Sequence, residues 1–447
     1  MKTSKIEKVS YGLGGLGYQM TLALTNAYLV LYYTDSVMVS AAFIGTMMLV
    51  ARILDGASDI VMGFVIEKTK SRFGKARPWV MLGAVPLSAS LFLLFNVPSG
   101  LPEIPKNAYI FVTYVFMSVI CYTVVALAHN AMLPRISTDS GDRNVTAVVL
   151  GLMQGIMTAV MVGVFNPVLQ ALGGESSRHA WTMISLMISV ISSLLLTICF
   201  IITKEKLAVG ESLSDKKDMP AQSPIKESLG FLLKDRHFYI IIVLFFTLAI
   251  TNGTAGIVVY FMRDVLGDAN LMGAFSGLSA LPMILMMPLI PKLFEKLGKR
   301  KTLIYGLSAT IVIRIIRLIF SSNIPIQLAG TFLGTATLVP LWIAAPTMIC
   351  DIVDYGDIKR GIRTEGLATS ASSFGTKLGT GLGSVVLGFG LTIGGYNAEL
   401  AIQSRKTIDA IIVIMNGVPA LMCAISLSLV LLWKLDTNAK KTATLYG

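Results

Sequence analysis

The feature that most constrains this chain is a succession of apolar stretches, each about as long as a helix that crosses a lipid bilayer. A hydrocarbon core about 30 Å thick requires about 20 apolar residues per spanning helix. Charged clusters and Pro or Gly turns divide the chain into twelve such stretches, at residues 11–32, 42–65, 78–97, 108–131, 145–171, 181–203, 237–263, 270–290, 302–320, 325–349, 367–394 and 408–433. Because 54% of the 447 residues are hydrophobic and only 14% are charged, we exclude a soluble enzyme, a collagen, a coiled coil and a disordered chain.

One long hydrophilic segment, residues 204–236, interrupts the apolar pattern and is rich in Lys, Glu, Asp, Ser and Pro. We interpret it as a cytoplasmic linker between an N-terminal six-helix bundle at residues 1–203 and a C-terminal six-helix bundle with a short tail at residues 237–447. The predicted fold is therefore an all-α polytopic membrane protein with twelve transmembrane helices in two bundles. The four cysteines are widely spaced and indicate neither a disulfide framework nor a metal site.

Lys and Arg are distributed unequally between the two sides of this topology. Of the 37 basic residues, 28 fall on the side that holds both termini and the linker, and five fall on the other side. Since basic loops are retained in the cytoplasm, we predict a multi-pass protein of the cell membrane with both termini cytoplasmic. The net charge of +12 then needs no nucleic acid partner, and the sequence indicates no obligate protein partner.

A weak internal repeat relates the two halves. Residues 66–75, after the second span, and residues 294–300, after the eighth, share a Glu-Lys beginning and a Gly-Lys near the end. Two related six-helix halves that enclose a midplane site and rock about it are typical of a major facilitator transporter. The alternative is that two basic loops resemble each other by composition alone.

Two acidic residues, Asp55 and Asp59, lie well inside the second predicted span, where ionisable groups are expensive and mark function. They are four residues apart and therefore share one helix face with Arg52, and Ser58 lies within one turn of Asp55. By its rise of about 1.5 Å per residue, the helix puts Asp55 near the midplane.

Other polar residues come out at a similar depth on two further spans, namely Thr123 on the fourth and Lys377 on the eleventh. Two carboxylates so close cannot both stay ionised in a low dielectric without a compensating cation. Carboxylate and hydroxyl oxygens suit a hard cation, so we predict a site for Na⁺, Li⁺ or H⁺. Its predicted ligands are Asp55, Ser58, Asp59 and Thr123. The alternative is a static charge network in which Arg52 and Lys377 pair with the aspartates and lock the bundle.

Arg314 and Arg317 lie three residues apart in the external half of the ninth span. We expect them to extend to the membrane interface or to pair there. The many glycines of the eleventh span, such as Gly375, Gly379 and Gly383, are expected to permit close helix packing.

Two sequence motifs resemble the signatures of the glycoside–pentoside–hexuronide:cation symporters, the melibiose permease group. The first runs from Leu49 to Asp59 and continues through the loop Ser71–Trp79. The second is Asp351–Asp357, in the predicted loop between the tenth and eleventh helices, followed by Arg363–Gly366. Tyr32-Tyr33-Thr34-Asp35 fits as well, and the resemblance covers nearly the whole chain.

The resemblance implies cation-driven secondary transport of a sugar, glycoside or uronide by alternating access, without ATP or another cofactor. It maps the family's cation ligands onto the four residues predicted above, with Ser58 where an amide is usual. It also gives Lys377 and Trp342 places beside the sugar. The two basic cytoplasmic loops resemble the family's cytoplasmic gate. The predicted gate residues are Arg72, Lys75, Arg77, Asp351, Asp354 and Arg363.

The sugar site departs from the family pattern. Two acids and an arginine that bind galactosides in melibiose permease are replaced by Gln19, Ala126 and Gly151. A hydroxyl-rich ligand needs convergent polar groups, so the cargo is expected to differ from melibiose. The residues predicted to build the new pocket are Gln19, Asn26, His129, Asn130, Gln154, Trp342, Ser373 and Lys377.

Two other functions remain open at this stage. The same fold and coupling could carry an amphipathic cargo such as a lysolipid or a steroid-like molecule, or the protein could be a membrane sensor that transports nothing. An enzyme is not expected, because no nucleophile–base pair, metal cluster or phosphate-binding loop is present in the sequence.

Overall fold

The computed structural model describes residues 3–137, 140–206, 236–286, 289–360, 365–400 and 402–433. Within these ranges the chain forms helices and turns and contains no strand. It divides into two compact units, of which the first comprises residues 1–215 with 269–273 and 397–401, and the second comprises the rest. Most of the predicted linker lies outside the described residues, so the domain boundaries remain a prediction.

The helices of the first unit are joined by short turns. Their bounds are α1 Lys5–Leu31, α2 Ala41–Lys68, α3 Arg77–Leu94, α4 Glu103–Val115, α5 Tyr122–Ile136, α6 Ser140–Ala171 and α7 Arg178–Ile202. A π turn at Tyr32–Ser36 extends α1, and another at Phe116–Cys121 joins α4 to α5. The predicted fourth span is thus one long helix with a wider turn in its middle.

The described residues of the second unit form nine helices, several of them short. Their bounds are α8 Arg236–Gly253, α9 Ile257–Tyr260, α10 Leu271–Met286, α11 Ile290–Leu297, α12 Lys299–Ile319, α13 Ile324–Arg360, α14 Glu365–Gly394, α15 Arg405–Ile412 and α16 Val418–Leu432. A short π turn at Phe261–Val265 follows α9. Another, at Val413–Gly417, joins α15 to α16.

Each of the twelve predicted spans coincides with a helical stretch, but two local expectations are wrong. The predicted seventh span is interrupted by a turn at residues 254–256. The predicted loop after the tenth span is largely helix, because α13 continues through the Asp351–Asp357 motif to Arg360. The apolar pattern ends at residue 349, and hydropathy alone could not show that the helix extends beyond the hydrocarbon region.

Within the described residues, eight helices are long and apolar enough to cross a membrane, and the stretches Val145–Thr158 and Leu271–Met286 are shorter apolar helices. The helices α1 and α2 are also long but are not among these eight. Gly and polar residues are frequent in α1, and α2 carries Arg52, Asp55 and Asp59. These two helices carry the predicted functional residues Gln19, Asn26, Arg52, Asp55, Ser58 and Asp59.

Local capping fixes the beginnings of several helices. Ser4 and Glu7 form a capping box at the start of α1, with Ser4 N donating to Glu7 Oε2 at 2.8 Å and Glu7 N donating to Ser4 Oγ at 3.1 Å. Ser177 and Ser404 accept from backbone amides in the same way at the starts of α7 and α15. These caps satisfy amides that the first helical turn leaves without partners.

Each unit has its own core. In the first unit the Trp181 indole contacts the rings of Tyr32, Phe95 and Phe165 at centroid distances of 5.2–5.7 Å. In the second unit apolar side chains from α8, α12, α13 and α16 form one cluster that ends at Trp433. Large apolar residues such as Met187, Val190 and Leu194 of α7 remain exposed, as expected for faces that contact lipid.

Candidate cation and substrate site

A hydrogen bond between two helices of the first unit forms the centre of the predicted cation site. Thr123 Oγ1, in the first turn of α5, donates to Asp55 Oδ1 of α2 at 2.8 Å, and both side chains are buried. A buried carboxylate needs such a donor, since an unsatisfied charged group in a membrane is costly. The bond fixes the orientation of Asp55 toward α5.

Three further α2 residues lie near Asp55. Ser58 Oγ donates to the Asp55 carbonyl at 3.0 Å and lies 3.4 Å from Thr123 Oγ1. Arg52 Nη1 lies 3.8 Å from Asp55 Oδ2, at the long end of an ion pair. Asp59, partly buried, is one helical turn further along the same face of α2. The structure therefore brings together three of the four predicted cation ligands through direct contacts.

This set of oxygen atoms fits a hard cation or a proton. It combines a carboxylate with two hydroxyls, and Asp59 adds a second carboxylate on the same helix face. Among the described residues there is no group of three or more His, Cys, Asp or Glu side chains that would suit a transition metal.

The π turn at Phe116–Cys121 positions Thr123 and was not expected from the sequence. It adds one residue to a helical turn immediately before α5 and so rotates the following residues relative to α4. Such turns occur frequently at functional sites. No Pro or Gly in the segment announces it, so the hydrophobic pattern contains no signal for it.

The predicted polar residues of α1 and α6 contact each other across the interface of these two helices. Gln19 Nε2 donates to Thr158 Oγ1 at 3.1 Å, and Gln154 Nε2 donates to the Tyr18 hydroxyl at 2.8 Å. Both glutamine side chains remain partly exposed. They can therefore hold the two helices together and still offer a carbonyl oxygen to a ligand, and Tyr18 is a polar neighbour that the sequence analysis missed.

His129 is packed inside the first unit. Its side chain has 0% exposed area, and its ring stacks on Tyr11 with centroids 4.1 Å apart. Its Nε2 pairs with the Tyr11 carbonyl at 2.8 Å, while the Tyr11 hydroxyl donates to the His129 carbonyl at 3.0 Å. In this conformation His129 holds α5 against α1 and is not accessible to a ligand, whereas Asn26 and Asn130 are exposed.

One of the three positions at which the sequence departs from the family's sugar ligands is open. A Cβ added at Gly151 of α6 would meet no other atom within 4 Å, so there is space where the family has an arginine. Ala126 of α5 is partly buried. The missing side chains have not been replaced by neighbours at Gly151, which leaves room for a differently shaped ligand.

The remaining predicted substrate residues belong to the second unit. Trp342 of α13 is 40% exposed, Ser373 of α14 is exposed, and Lys377, one turn further along α14, is partly buried. An exposed indole beside apolar helices is suited to contact the carbon face of a sugar ring.

Two predicted gate residues of the first unit, Arg77 and Arg72, contact nearby groups of the same unit. Arg77, the first residue of α3, donates from Nε to the Phe200 carbonyl at 2.7 Å and from Nη2 to the Ile201 carbonyl at 3.3 Å. The Arg72 guanidinium lies over the Phe73 ring, 4.7 Å from its centroid. Arg77 thereby caps the carboxyl end of α7, where a cation is favoured by the exposed carbonyls.

Glu205, which the sequence analysis missed, completes this arrangement. Its carboxylate accepts from the backbone amides of Lys75 at 3.0 Å, Ala76 at 2.8 Å and Arg77 at 2.7 Å. It therefore caps α3 while Arg77 caps α7, and the two charges tie α3 to α7 from both sides. The sequence contains a signal for this cap: an acidic residue lies just after the sixth predicted span, and the loop after the second predicted span is basic.

The second unit repeats the arginine cap. Arg300, in the first turn of α12, donates from Nε to the Val430 carbonyl at 3.3 Å and from Nη2 to the Leu431 carbonyl at 2.5 Å, at the end of α16. Gly74 and Gly298, which precede α3 and α12, both have positive φ, +108° and +82°. The loops that resemble each other in sequence thus share a left-handed glycine and an arginine cap, which favours a true repeat over a likeness of composition.

Asp351, a predicted gate residue, forms an ion pair within the second unit. Lys299 Nζ contacts both carboxylate oxygens of Asp351 at 2.9 Å and 2.7 Å. The side chain of Asp354 and the whole of Arg363 lie outside the described residues, so their predicted roles remain predictions.

The expectation that Arg317 reaches the membrane interface is wrong. Its side chain is 1% exposed, and Nε donates to Gln327 Oε1 at 2.9 Å. The guanidinium lies 5.8 Å from the centroid of the Phe275 ring. The side chain rests on Gly330, where an added Cβ would come within 2.5 Å of its Cδ. A glycine one helix away makes room for the buried arginine.

Comparison with known proteins identifies the family. The profile of the family described as MFS/sugar transport protein matches residues 10–437. The chain belongs to this family. The isoprimeverose transporter of Lactiplantibacillus pentosus is 32% identical over 96% of this chain and 88% of the relative. A glucuronide carrier protein homolog of Escherichia coli is 25% identical over 97% of this chain and 93% of the relative. The resemblance to glycoside:cation symporters is confirmed.

Solved structures support the same fold. The nucleoside transporter NupG superimposes with a TM-score of 0.68 at 14% identity, covering 96% of this chain and 100% of NupG. At this identity the likeness concerns the fold alone. The predicted major facilitator fold is confirmed, and the chain is a multi-pass membrane protein of a transporter family.

Proposed function

We propose that this protein is a cation-coupled symporter of a sugar or glycoside that works by alternating access. The observation that carries the proposal is the buried Thr123–Asp55 bond with the partly buried Ser58 beside it, an oxygen cluster between α2 and α5 of a sugar transport protein. The protein is proposed to reside in the cell membrane with both termini in the cytoplasm, as the distribution of basic residues favours.

The coupling cation, Na⁺, Li⁺ or H⁺, is proposed to bind between Asp55, Ser58, Asp59 and Thr123. Two carboxylates on one face of α2 repel each other, and Arg52 Nη1 lies 3.8 Å from Asp55 Oδ2. Binding of the cation removes that repulsion and lets α2 and α5 close on each other. A hydroxyl at position 58 is a weaker ligand than an amide oxygen, which favours H⁺ over Na⁺.

The cargo is proposed to be a sugar, glycoside or uronide. Relatives along the full chain are named for isoprimeverose and for a glucuronide, and Gln19 and Gln154 offer amide groups in the first unit. In the second unit, Lys377 and the Trp342 indole are also proposed to contact the substrate. The open space at Gly151 is expected to admit a group that the family's arginine would exclude.

Counterflow into proteoliposomes tests this proposal. The panel comprises neutral glycosides, pentosides, uronides and lysolipids, each with Na⁺, with Li⁺ and with H⁺ as the available cation. We expect a sugar signal that one cation enhances. Silence for all sugars together with a cation-dependent lysolipid signal would overturn the sugar assignment, and the absence of any cation effect would overturn coupling.

The variant Asp59→Asn separates coupling from binding. It is expected to abolish cation-driven accumulation and to retain exchange of substrate, because the neutral amide cannot take up a proton or balance a metal cation. Asp409→Asn is the matched control, since Asp409 is a half-exposed acid that pairs with Arg405 at the start of α15. Full coupled uptake by Asp59→Asn would remove Asp59 from the cation site.

A further inference from the structure

Arg314 is a second membrane-embedded arginine, and its charge is not balanced within the described part of the chain. It lies on α12, and its Nη1 donates to the Met415 carbonyl at 3.3 Å. Its buried Nε has no hydrogen-bond partner among the described residues. No described carboxylate forms an ion pair with Arg314 or with Arg317 one turn away. Because Arg314 and Arg317 carry like charges inside one predicted span, the free-energy cost of leaving them without an anion is higher than for a single arginine.

The neighbouring Arg317 differs because its guanidinium is enclosed by neighbouring groups, and its buried Nη2 also has no hydrogen-bond partner among the described residues. Gln327, the Phe275 ring and the close Gly330 backbone surround its guanidinium, and its side chain is fully buried. Arg317 thus stabilises the packing of α12 on α13. Arg314 instead faces a cavity, and its open donors are the ones available to a ligand.

The cavity lies among four helices of the second unit. Its polar lining comprises Arg314 of α12, Thr247 and Thr251 of α8, Trp342 of α13 and Ser426 of α16. Thr247 Oγ1 and Ser426 Oγ lie 2.8 Å apart, so the hydroxyls are already aligned in a pair. The volume is about 20 Å³. A cavity needs about 10–15 Å³ to hold one water molecule, so only a small ion or a terminal group fits.

We propose that Arg314 and the hydroxyls of Thr247, Thr251 and Ser426 form an anion site inside the C-terminal bundle, which takes a chloride ion or the carboxylate group of an acidic sugar. A guanidinium with open N–H groups is the donor that anions and carboxylates match best. Thr247 Oγ1 donates to the Leu244 carbonyl at 2.9 Å and Thr251 Oγ1 donates to the Thr247 carbonyl at 3.5 Å, so these O–H groups would turn from those carbonyls toward the anion. An anion here offsets a charge that is otherwise buried without a partner.

The two sources of this anion have different consequences. A free chloride ion would be a structural ligand of the bundle. A sugar carboxylate would place the sugar ring against Trp342, at the exposed edge of the same cavity, and would extend the proposed transport function to acidic glycosides. The second source rests on the proposed function, whereas the anion site itself does not.

Thermal unfolding of the purified full-length protein in detergent tests the site without transport. Sodium chloride, sodium formate and sodium glucuronate are titrated against sodium Hepes at constant sodium concentration and ionic strength. We expect a saturable rise of Tm in the wild type. Arg314→Gln is expected to weaken the apparent anion affinity about tenfold or more, because a charge-assisted hydrogen bond is lost.

Controls separate the site from general salt effects. Arg405→Gln removes a positive charge from an 84% exposed side chain of the same unit and should keep the anion response unchanged. Thr251→Val is a milder change in the same cavity, and it should also weaken the anion response if Arg314→Gln does not fold. A wild-type Tm that is indifferent to every anion, or an equal response in wild type and both cavity variants, would overturn the proposal.

The pattern among the anions identifies the source. Equal stabilisation by chloride and formate supports a free small anion, and stabilisation by glucuronate alone supports a sugar carboxylate. Either result stands even if counterflow detects no sugar transport. Conversely, transport of neutral glycosides together with an absent anion response would refute the anion site and leave the symporter proposal intact.

Discussion

The backbone carbonyl of Phe246 in α8 lies against the Cα of Gly379 in α14 so closely that no Cβ can stand between them. The contact repeats one turn away in each direction, between Gly375 and Ile242 and between Gly383 and Ile250. Both helices thus present positions four residues apart, and carbonyl oxygens pack on glycine Cα–H groups. Contacts of this kind let two membrane helices approach without side chains between them.

This packing predicts that Gly379→Ala destabilises the second unit. A methyl group at this position must push α8 away from α14 along its whole length, and overpacking of this kind costs about 1–3 kcal/mol. The measurement is Tm of the purified protein in detergent. Gly277→Ala is the matched control, because a Cβ at that helical glycine meets nothing within 4 Å. Equal Tm values for the two variants would contradict the prediction, because α8 and α14 would then accommodate the methyl group without loss of stability.

The sequence predicts that the glycines of the eleventh span serve packing, but it cannot identify their partner. The partner surface is the backbone of α8, and backbone carbonyls leave no pattern in the side chains. The same limit applies to Arg317, whose buried position depends on Gly330 on another helix. A single arginine in an apolar segment looks the same in sequence whether a distant glycine makes room for it or not.

The cation site shows how far helix periodicity reaches. The spacing of Asp55 and Asp59 on one face and the depth of Thr123 follow from the rise and the turn of a helix. The direct bond between Asp55 and Thr123 also depends on the π turn before α5, which no residue type in Phe116–Cys121 signals. His129 is packed inside the bundle because Gly14 leaves space beside it, a contact between distant positions that spacing does not encode.

The cap formed by Glu205 predicts a loss of stability in Glu205→Ala. Three backbone amides at the start of α3 would lose their acceptor, and each buried unsatisfied donor costs about 1–3 kcal/mol before water compensates. Glu205→Gln keeps one amide oxygen and should retain part of the stability. The midpoint of thermal unfolding measures both, with the exposed Glu399→Ala as the control. A Tm of Glu205→Ala equal to that of Glu399→Ala would contradict the cap.

A pH effect is predicted where the N-terminus meets α6. Hydrogen bonds from Lys8 at 2.5 Å and from Thr3 lower the pKa of Asp142 below its ordinary value. A carboxylate whose pKa is lowered by folding stabilises the folded state above its unfolded pKa of about 3.9. That contribution is lost as the pH falls from about 4 toward the lower pKa of the folded state.

The Tm difference between wild type and Asp142→Asn measures this contribution. It should be largest near pH 7 and should shrink when the pH falls below about 4. Asp409→Asn, at a half-exposed acid of the second unit, should show no comparable change. A difference that grows on acidification would mean that the Lys8 and Thr3 contacts do not favour the ionised form of Asp142.

The hydroxyl of Thr123 offers the sharpest test of the cation site. Thr123→Val keeps a similar shape and removes the donor that holds Asp55 Oδ1 at 2.8 Å, so a buried carboxylate loses a bond worth about 1.5–3 kcal/mol. We expect about a tenfold or larger rise in the cation concentration that half-activates uptake. Thr123→Ser keeps the hydroxyl and should restore the wild-type value. Thr25→Val is the control, because the buried Thr25 hydroxyl donates within its own helix α1, to the Thr21 carbonyl at 2.8 Å. Unchanged cation activation in Thr123→Val would mean that the bond orders the two helices and has no part in coupling, since a cation ligand cannot be removed without a change in cation affinity.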